Sequence, residues 1–89
     1  MYYTYVLLCQ DISRLRKKFY IGSTEDLRNR LKEHKAGEIK TTKSFEIINL
    51  IYYEASLNKV DARKRELQLK TGFGRGYLNR RLENYFKNS

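Results

Sequence analysis

The segment Tyr2-Tyr3-Thr4-Tyr5-Val6-Leu7-Leu8-Cys9 constrains the fold most, because it is aromatic or aliphatic at odd and even positions alike. Side chains alternate between the two faces of a strand, so a strand apolar on both is largely buried on both. Phe19 to Ser23 reads as a second strand, and the polar stretch Gln10 to Lys18 between them as a long hairpin loop. Phe45 to Glu54 is a third strand, with Ile47, Ile48, Leu50, Ile51, Tyr52 and Tyr53 again supplying both faces.

Helical spacing fills the rest. Leu27 and Leu31 begin a stripe that continues through His34, which predicts a helix over Glu25 to Ala36 with Ser23 or Thr24 as its N-cap and Gly37 as its stop. Glu38 to Ser44 is a polar loop. Ser56 or Asn58 caps a second helix, Lys59 to Lys70, which Gly72 ends. A third helix runs from Gly76 to Lys87, with Leu78, Leu82 and Tyr85 on one stripe. The order β-β-α-β-α-α gives an α/β chain of the α+β layered kind, a small three-stranded and mainly antiparallel sheet flanked by three helices.

With 89 residues the chain makes one domain, 1–89, since domains average about 100–150 residues. The single Cys9 excludes an internal disulfide, and one Cys with one His excludes a zinc ribbon. The apolar run Ile47 to Tyr53 is broken by Asn49 and too short to cross a bilayer, so no membrane is expected. Tyr2-Tyr3-Thr4-Tyr5 supplies neither a basic start nor a cleavage site, so no signal peptide is expected and a reducing cytoplasm is the simplest location.

Nineteen Lys and Arg against ten Asp and Glu give a net charge of +9, which on so small a body attracts polyanions. The basic residues are spread between the hydrophobic segments rather than gathered in a tail, so they form patches on a folded surface, the footprint of nucleic-acid binding. Charge by itself does not choose DNA over RNA, nor binding over catalysis. Gly72-Phe73-Gly74-Arg75-Gly76 resembles a phosphate loop, but it follows a helix and lacks the Lys-Ser/Thr pair, so it reads as a flexible helix–helix corner. Cys9 reads as a buried structural thiol.

Three features remain. Tyr5 and Tyr20, on paired strands, bring two phenols to the same edge of the sheet, although a strand tyrosine is often simple packing. Arg30 and His34, four residues apart, share a helix face beside the Leu27–Leu31 stripe, at the helix–sheet margin. Glu66 occupies the leucine-like position of the stripe Ala62, Glu66, Leu69, unless the face through Val60 and Leu67 is the buried one. Periodicity leaves both faces open.

Tyr3-Thr4-Tyr5-Val6-Leu7-Leu8, Phe19-Tyr20-Ile21-Gly22-Ser23-Thr24, the run Asp26 to His34 and the run Ala62 to Lys70 together resemble the GIY-YIG endonuclease family. The second signature tripeptide is intact as Tyr20-Ile21-Gly22, and the first survives as Tyr3-Thr4-Tyr5, keeping the tyrosine without the Gly and Ile. The chain looks most like the small stand-alone bacterial members. The resemblance implies the GIY-YIG nuclease fold and a metal-dependent DNA endonuclease, structure-selective or weakly sequence-selective, with roles such as DNA repair or recombination. It implies Glu66 as ligand of one Mg²⁺ or Mn²⁺, Arg30 as the transition-state cation, Tyr5 or Tyr20 as the base that activates water, and His34 as proton relay or phosphate ligand. Arg30 and the metal are expected to favour the phenolate. Arg28, Lys32, Lys43 and Arg75 are candidate backbone contacts, and Asn79 is the nearest match to a late asparagine of the family. A monomer acting on DNA is expected, with RNA open as a second partner. A non-catalytic nucleic-acid-binding module on the same fold is the competing expectation.

Overall fold

The computed structural model describes residues 1–88. The elements are β1 (Tyr2–Gln10), β2 (Lys17–Thr24), α1 (Leu27–Lys35), β3 (Ile47–Ser56), α2 (Lys59–Leu69), α3 (Gly72–Arg81) and α4 (Glu83–Lys87). The sheet is antiparallel throughout in the order β2-β1-β3. The strand that is apolar on both faces is therefore the central one. Its odd residues Tyr5, Leu7 and Cys9 pack with Ile48 and, from α1, Leu27 and Leu31. Its even residue Val6 packs with Ile21, with Leu69 of α2 and with Leu78 of α3. Between Val6 and Leu7 the register with β3 slips, since Val6 pairs with Tyr52 and Leu7 with Leu50. The extra residue Ile51 lets both Ile51 and Tyr52 join the second cluster.

Four helices are found among the described residues where three were expected. Leu82, at φ −111° and ψ 22°, breaks the last one in two. The glycine-rich segment is not a flexible corner. The Thr71 hydroxyl accepts from the Gly74 amide and starts α3 at Gly72, so Gly72 opens a helix rather than closing one. Gly74 is buried where an added Cβ would stand 2.2 Å from the Leu69 carbonyl oxygen, so only glycine lets α3 turn back this closely on α2.

Capping also differs at α1. The Asp26 carboxylate accepts from the Asn29 amide at 3.0 Å and makes Asp26 the N-cap, while Thr24 holds the Asp26 amide and Ser23 is engaged elsewhere. The hairpin loop is shorter than expected, because β1 and β2 pair as far as Gln10 and Lys17. At α2, Asn58 is the cap, accepting from the Val60 and Asp61 amides. The Thr4 hydroxyl, buried in β1, donates to the Ala62 carbonyl at 2.9 Å and fastens α2 to the sheet. That settles the helix face: Ala62, Glu66 and Leu69 are buried, and Val60 and Leu67 are exposed. No helix among the described residues is long and apolar enough to cross a membrane.

Candidate active site

Tyr5 stands opposite Gly22 in the β1–β2 register. A Cβ at Gly22 would lie 2.6 Å from the Tyr5 hydroxyl and 2.8 Å from Cζ, so the missing side chain is what lets the phenol lie over the neighbouring strand. Tyr5 and Tyr20 share a face rather than an edge, since Tyr5 is on the central strand and Tyr20 on the outer one, with ring centroids 6.1 Å apart. The shared face follows from the register, in which Tyr20 pairs with Leu7, two residues along from Tyr5.

His34 is fully buried, deeper than the helix–sheet margin expected for it. Its Nε2 is 2.9 Å from the Tyr5 hydroxyl and its Nδ1 is 2.8 Å from Thr42 Oγ1. The Thr42 hydroxyl also lies 3.5 Å from the Ile39 carbonyl, and we assign the neutral imidazole its proton on Nδ1, donated to Thr42 Oγ1. That assignment leaves Nε2 as an acceptor, and the Tyr5 O–H donates to it. Tyr20 meets the imidazole edge-on with centroids 4.8 Å apart. Burial, helped by the Arg30 guanidinium, holds the His34 pKa below its ordinary value, so the ring is neutral at pH 7. Burial, and next the Tyr20 phenol, push Tyr5 far above the ordinary tyrosine value despite the pull of Arg30. Arg30 exerts the expected downward pull on Tyr5. Desolvation outweighs the one cation, and Tyr5 rests as a neutral phenol.

Arg30 is half-buried and pairs with Glu33 at 3.2 Å. It lines a hollow of about 250 Å³ with Ser23, Thr24 and Lys59. Glu66, only 5 % exposed, approaches from the other face of the sheet. Its Oε1 accepts from the Ser23 hydroxyl at 2.8 Å, and its Oε2 accepts from Lys70 Nζ at 2.7 Å and from Arg63 Nη1. Burial draws the carboxyl upward, but the hydrogen bonds from Lys70, Ser23 and Arg63 outweigh it and hold the group below the usual carboxylate range. Glu66 is therefore ionised at neutral pH.

Tyr20, Lys70 and Arg75 line a second hollow, of about 260 Å³, together with Lys18 to Ile21 of β2. The first hollow takes up Ser23 and Thr24 of the same strand. The two thus follow one edge strand, with Gly22 and the Tyr5 phenol between them. Tyr5 and Tyr20 both meet His34, Glu66 is bonded to Ser23 of the same outer strand, and both Arg30 and Glu66 act electrostatically on Tyr5. Of the candidate backbone contacts, Arg75 is in the groove. Arg28 lies in a different hollow, with Tyr3, Leu50 and Tyr53. Lys32 and Lys43 are exposed, on the last turn of α1 and on the following loop. Asn79 faces a groove with Lys17 and Phe86 that contains none of Tyr5, Tyr20, Arg30, His34 and Glu66.

Four contributors had escaped the sequence reading. Ser23 is a hydrogen-bond donor to Glu66 rather than a helix cap. Thr42, from a loop with no pattern of its own, orients His34. Arg63 and Lys70 stand three before and four after Glu66, a helical spacing that does predict the pairs.

A three-stranded antiparallel sheet with Tyr5 on its central strand and Tyr20 on an outer one, flanked by α1 with Arg30 and His34 and by α2 with Glu66, defines a small α+β fold. A family model, the GIY-YIG catalytic domain, matches residues 1–80, and the chain belongs to the GIY-YIG family. It is 40% identical over 70 residues to a UPF0213 protein of Lacticaseibacillus paracasei, covering 78% of this chain and 73% of that one. It is 37% identical over 71 residues to a UPF0213 protein of Clostridium perfringens, covering 79% and 71%. With a UPF0213 protein of Staphylococcus haemolyticus it shares 34% over 71 residues, covering 79% and 80%. No solved structure matches the chain.

Proposed function

We propose that this chain is a divalent-metal-dependent DNA endonuclease, structure-selective or weakly sequence-selective, acting as a monomer in repair or recombination. The observation that carries the proposal is the buried relay Tyr5–His34–Thr42, with Arg30 and Glu66 both near enough to act electrostatically on the Tyr5 phenol. Packing gives no reason to bury a phenol, a neutral imidazole and a carboxylate within reach of one another, and each needs its own partners to be tolerated there.

The donor set suits Mg²⁺ or Mn²⁺. Glu66 is a hard, ionised oxygen ligand, and such ions need only one or two carboxylates because they keep waters and take phosphate oxygens. Among the described residues there is no group of three or more His, Cys, Asp or Glu, so a site saturated by protein ligands is not on offer. When bound, the ion supplies charge neutralisation at the phosphate and leaving oxygen.

The remaining chemistry belongs to side chains. The Tyr5 oxygen accepts a proton from the attacking water while its own proton passes along the existing hydrogen bond to His34 Nε2. The O–H bond of water breaks as its oxygen bonds to phosphorus, and the P–O bond to the leaving DNA oxygen breaks in line with it. That oxygen takes a proton from solvent, and the imidazole afterwards releases the proton it gained. A concerted transfer avoids a free phenolate, which burial makes costly. Thr42 fixes the tautomer that leaves Nε2 open. Arg30 supplies forked donors to the charge that builds on the phosphoryl oxygens.

One observation favours a non-catalytic binding module instead, namely that Lys70 and Arg63 already occupy Glu66 Oε2. Both cationic side chains are about half exposed, at 47% and 58%, while the carboxylate they hold is buried. An arriving phosphate competes for both cations, which favours the nuclease. Nicking of supercoiled DNA with Mg²⁺ or Mn²⁺ and its loss in EDTA is the test. DNA binding without nicking under every metal condition supports the module.

A further inference from the structure

A cleft of about 610 Å³ opens beside the start of β2 and contains none of the five active-site residues. Its apolar surface comes from Leu8 and Phe19 on the sheet and from Tyr85 and Phe86 on α4. Tyr85 meets Phe86 edge-on at 5.4 Å between centroids, and Phe86 lies 5.8 Å from Phe19, so the Tyr85 ring is held from behind while remaining 37 % exposed. Arg14, Lys17 and Lys18 also line the cleft, and among the described residues no carboxylate does. Gln10 and Asn49 add two amides.

We infer that this cleft takes an unpaired base of the DNA strand that is cut, so that the substrate carries a single-stranded segment beside the scissile phosphate. The inference rests on the endonuclease reading and deepens it. Each part of the cleft has a counterpart in an unpaired nucleotide. An exposed aromatic ring stacks on a base of any sequence, the cations answer its phosphates, and side-chain amides pair with base edges. Bases inside a duplex stack on one another and offer no free face to such a ring. An acidic peptide would meet the charges but leave the aromatic platform unused.

Continuity with the groove sets the distance. Lys18 and Phe19 line both this cleft and the hollow that holds Tyr20, Lys70 and Arg75. Phe19 and Ser23 are four residues apart on β2, about 13 Å at ~3.3 Å per residue. That span is a few nucleotides at ~3.4 Å per step of a stacked strand. The cut therefore falls a few nucleotides from the unpaired base.

The test is fluorescence anisotropy in EDTA, with a labelled oligothymidylate and a blunt duplex of the same length, for wild type, Tyr85→Ala and Tyr85→Phe. Tyr85→Ala is expected to weaken single-strand binding at least about fivefold, the lower end for a lost base–aromatic stack, with duplex binding nearly unchanged. Tyr85→Phe keeps the ring and should bind as wild type, which separates stacking from damage to α4. Equal losses on both DNAs in Tyr85→Ala, or no loss on either, overturn the inference. Displacement of the oligonucleotide by micromolar thymidine monophosphate also overturns it, in favour of a free-nucleotide site. Because binding is read without cleavage, the two readings fail separately. Nicking by the wild type with Tyr85-independent binding removes the cleft assignment alone, whereas Tyr85-dependent binding without nicking removes the endonuclease alone.

Discussion

Gly22→Ala perturbs the site at its tightest point. The new Cβ would stand 2.6 Å from the Tyr5 hydroxyl and 2.8 Å from Cζ, closer than real Cβ contacts come, and 3.0 Å from Cε1, at the tight end of those that occur. Tyr5 has little freedom to yield, being 1 % exposed with His34 and Tyr20 against its ring. Forcing one methyl into such a core costs about 1–3 kcal/mol. Displacing the phenol from His34 forfeits a further ~0.5–1.5 kcal/mol. Removing a strand glycine returns about 0.5–1 kcal/mol through the unfolded chain. The net is a loss of roughly 0.5–4 kcal/mol, read as a lower urea midpoint at unchanged slope. Cleavage should fall with it, since the relay loses its first hydrogen bond. Tyr5→Phe supplies the control by removing the nearest clashing atom. In that background Gly22→Ala should cost less than in wild type, a coupling measurable by a double-mutant cycle. Additive effects, or a Gly22→Ala protein as stable and active as wild type, would refute the packing argument.

Two further outcomes follow from the same geometry. His34 has a folded-state pKa below its unfolded value of 6.5, so its contribution to stability is complete above that pH and is lost as pH falls through the folded value. The urea midpoint should therefore drop between pH 7.5 and pH 5, before the carboxylates protonate, and a flat profile there contradicts the buried neutral imidazole. Arg30→Ala removes a half-exposed pair with Glu33 worth about 0–1 kcal/mol, so stability should hardly change. Its cleavage rate should fall about 10²–10³-fold, and a rate within twofold of wild type would remove Arg30 from the transition state.

The sheet was legible because Tyr2–Cys9 is apolar on both faces, and only a central strand covered on both sides satisfies that pattern. Helix ends were less so. Asp26 caps α1 in place of Ser23 or Thr24, and Gly72, expected to end α2, instead opens α3 behind its cap Thr71; the bond from Ser23 to Glu66 and the approach of α3 to Leu69 are contacts of the tertiary fold. The side on which Glu66 lies was undecidable from spacing, because α2 carries apolar residues on two faces. What decided it was the hydrogen bond from Thr4 to Ala62, between residues 58 apart. The resting state of Tyr5 could not be read from residue types either. A sequence names the cation beside a phenol, but not how much water is taken from it.

Glu66→Ala tests the central claim most directly. Supercoiled plasmid is incubated with identically prepared wild-type and Glu66→Ala protein in Mg²⁺, in Mn²⁺ and in EDTA, with DNA affinity measured in parallel. Divalent-dependent nicking by the wild type, absent from a folded Glu66→Ala protein that still binds DNA, is the predicted result. Nicking that survives Glu66→Ala undiminished, or that persists in EDTA, would contradict the account.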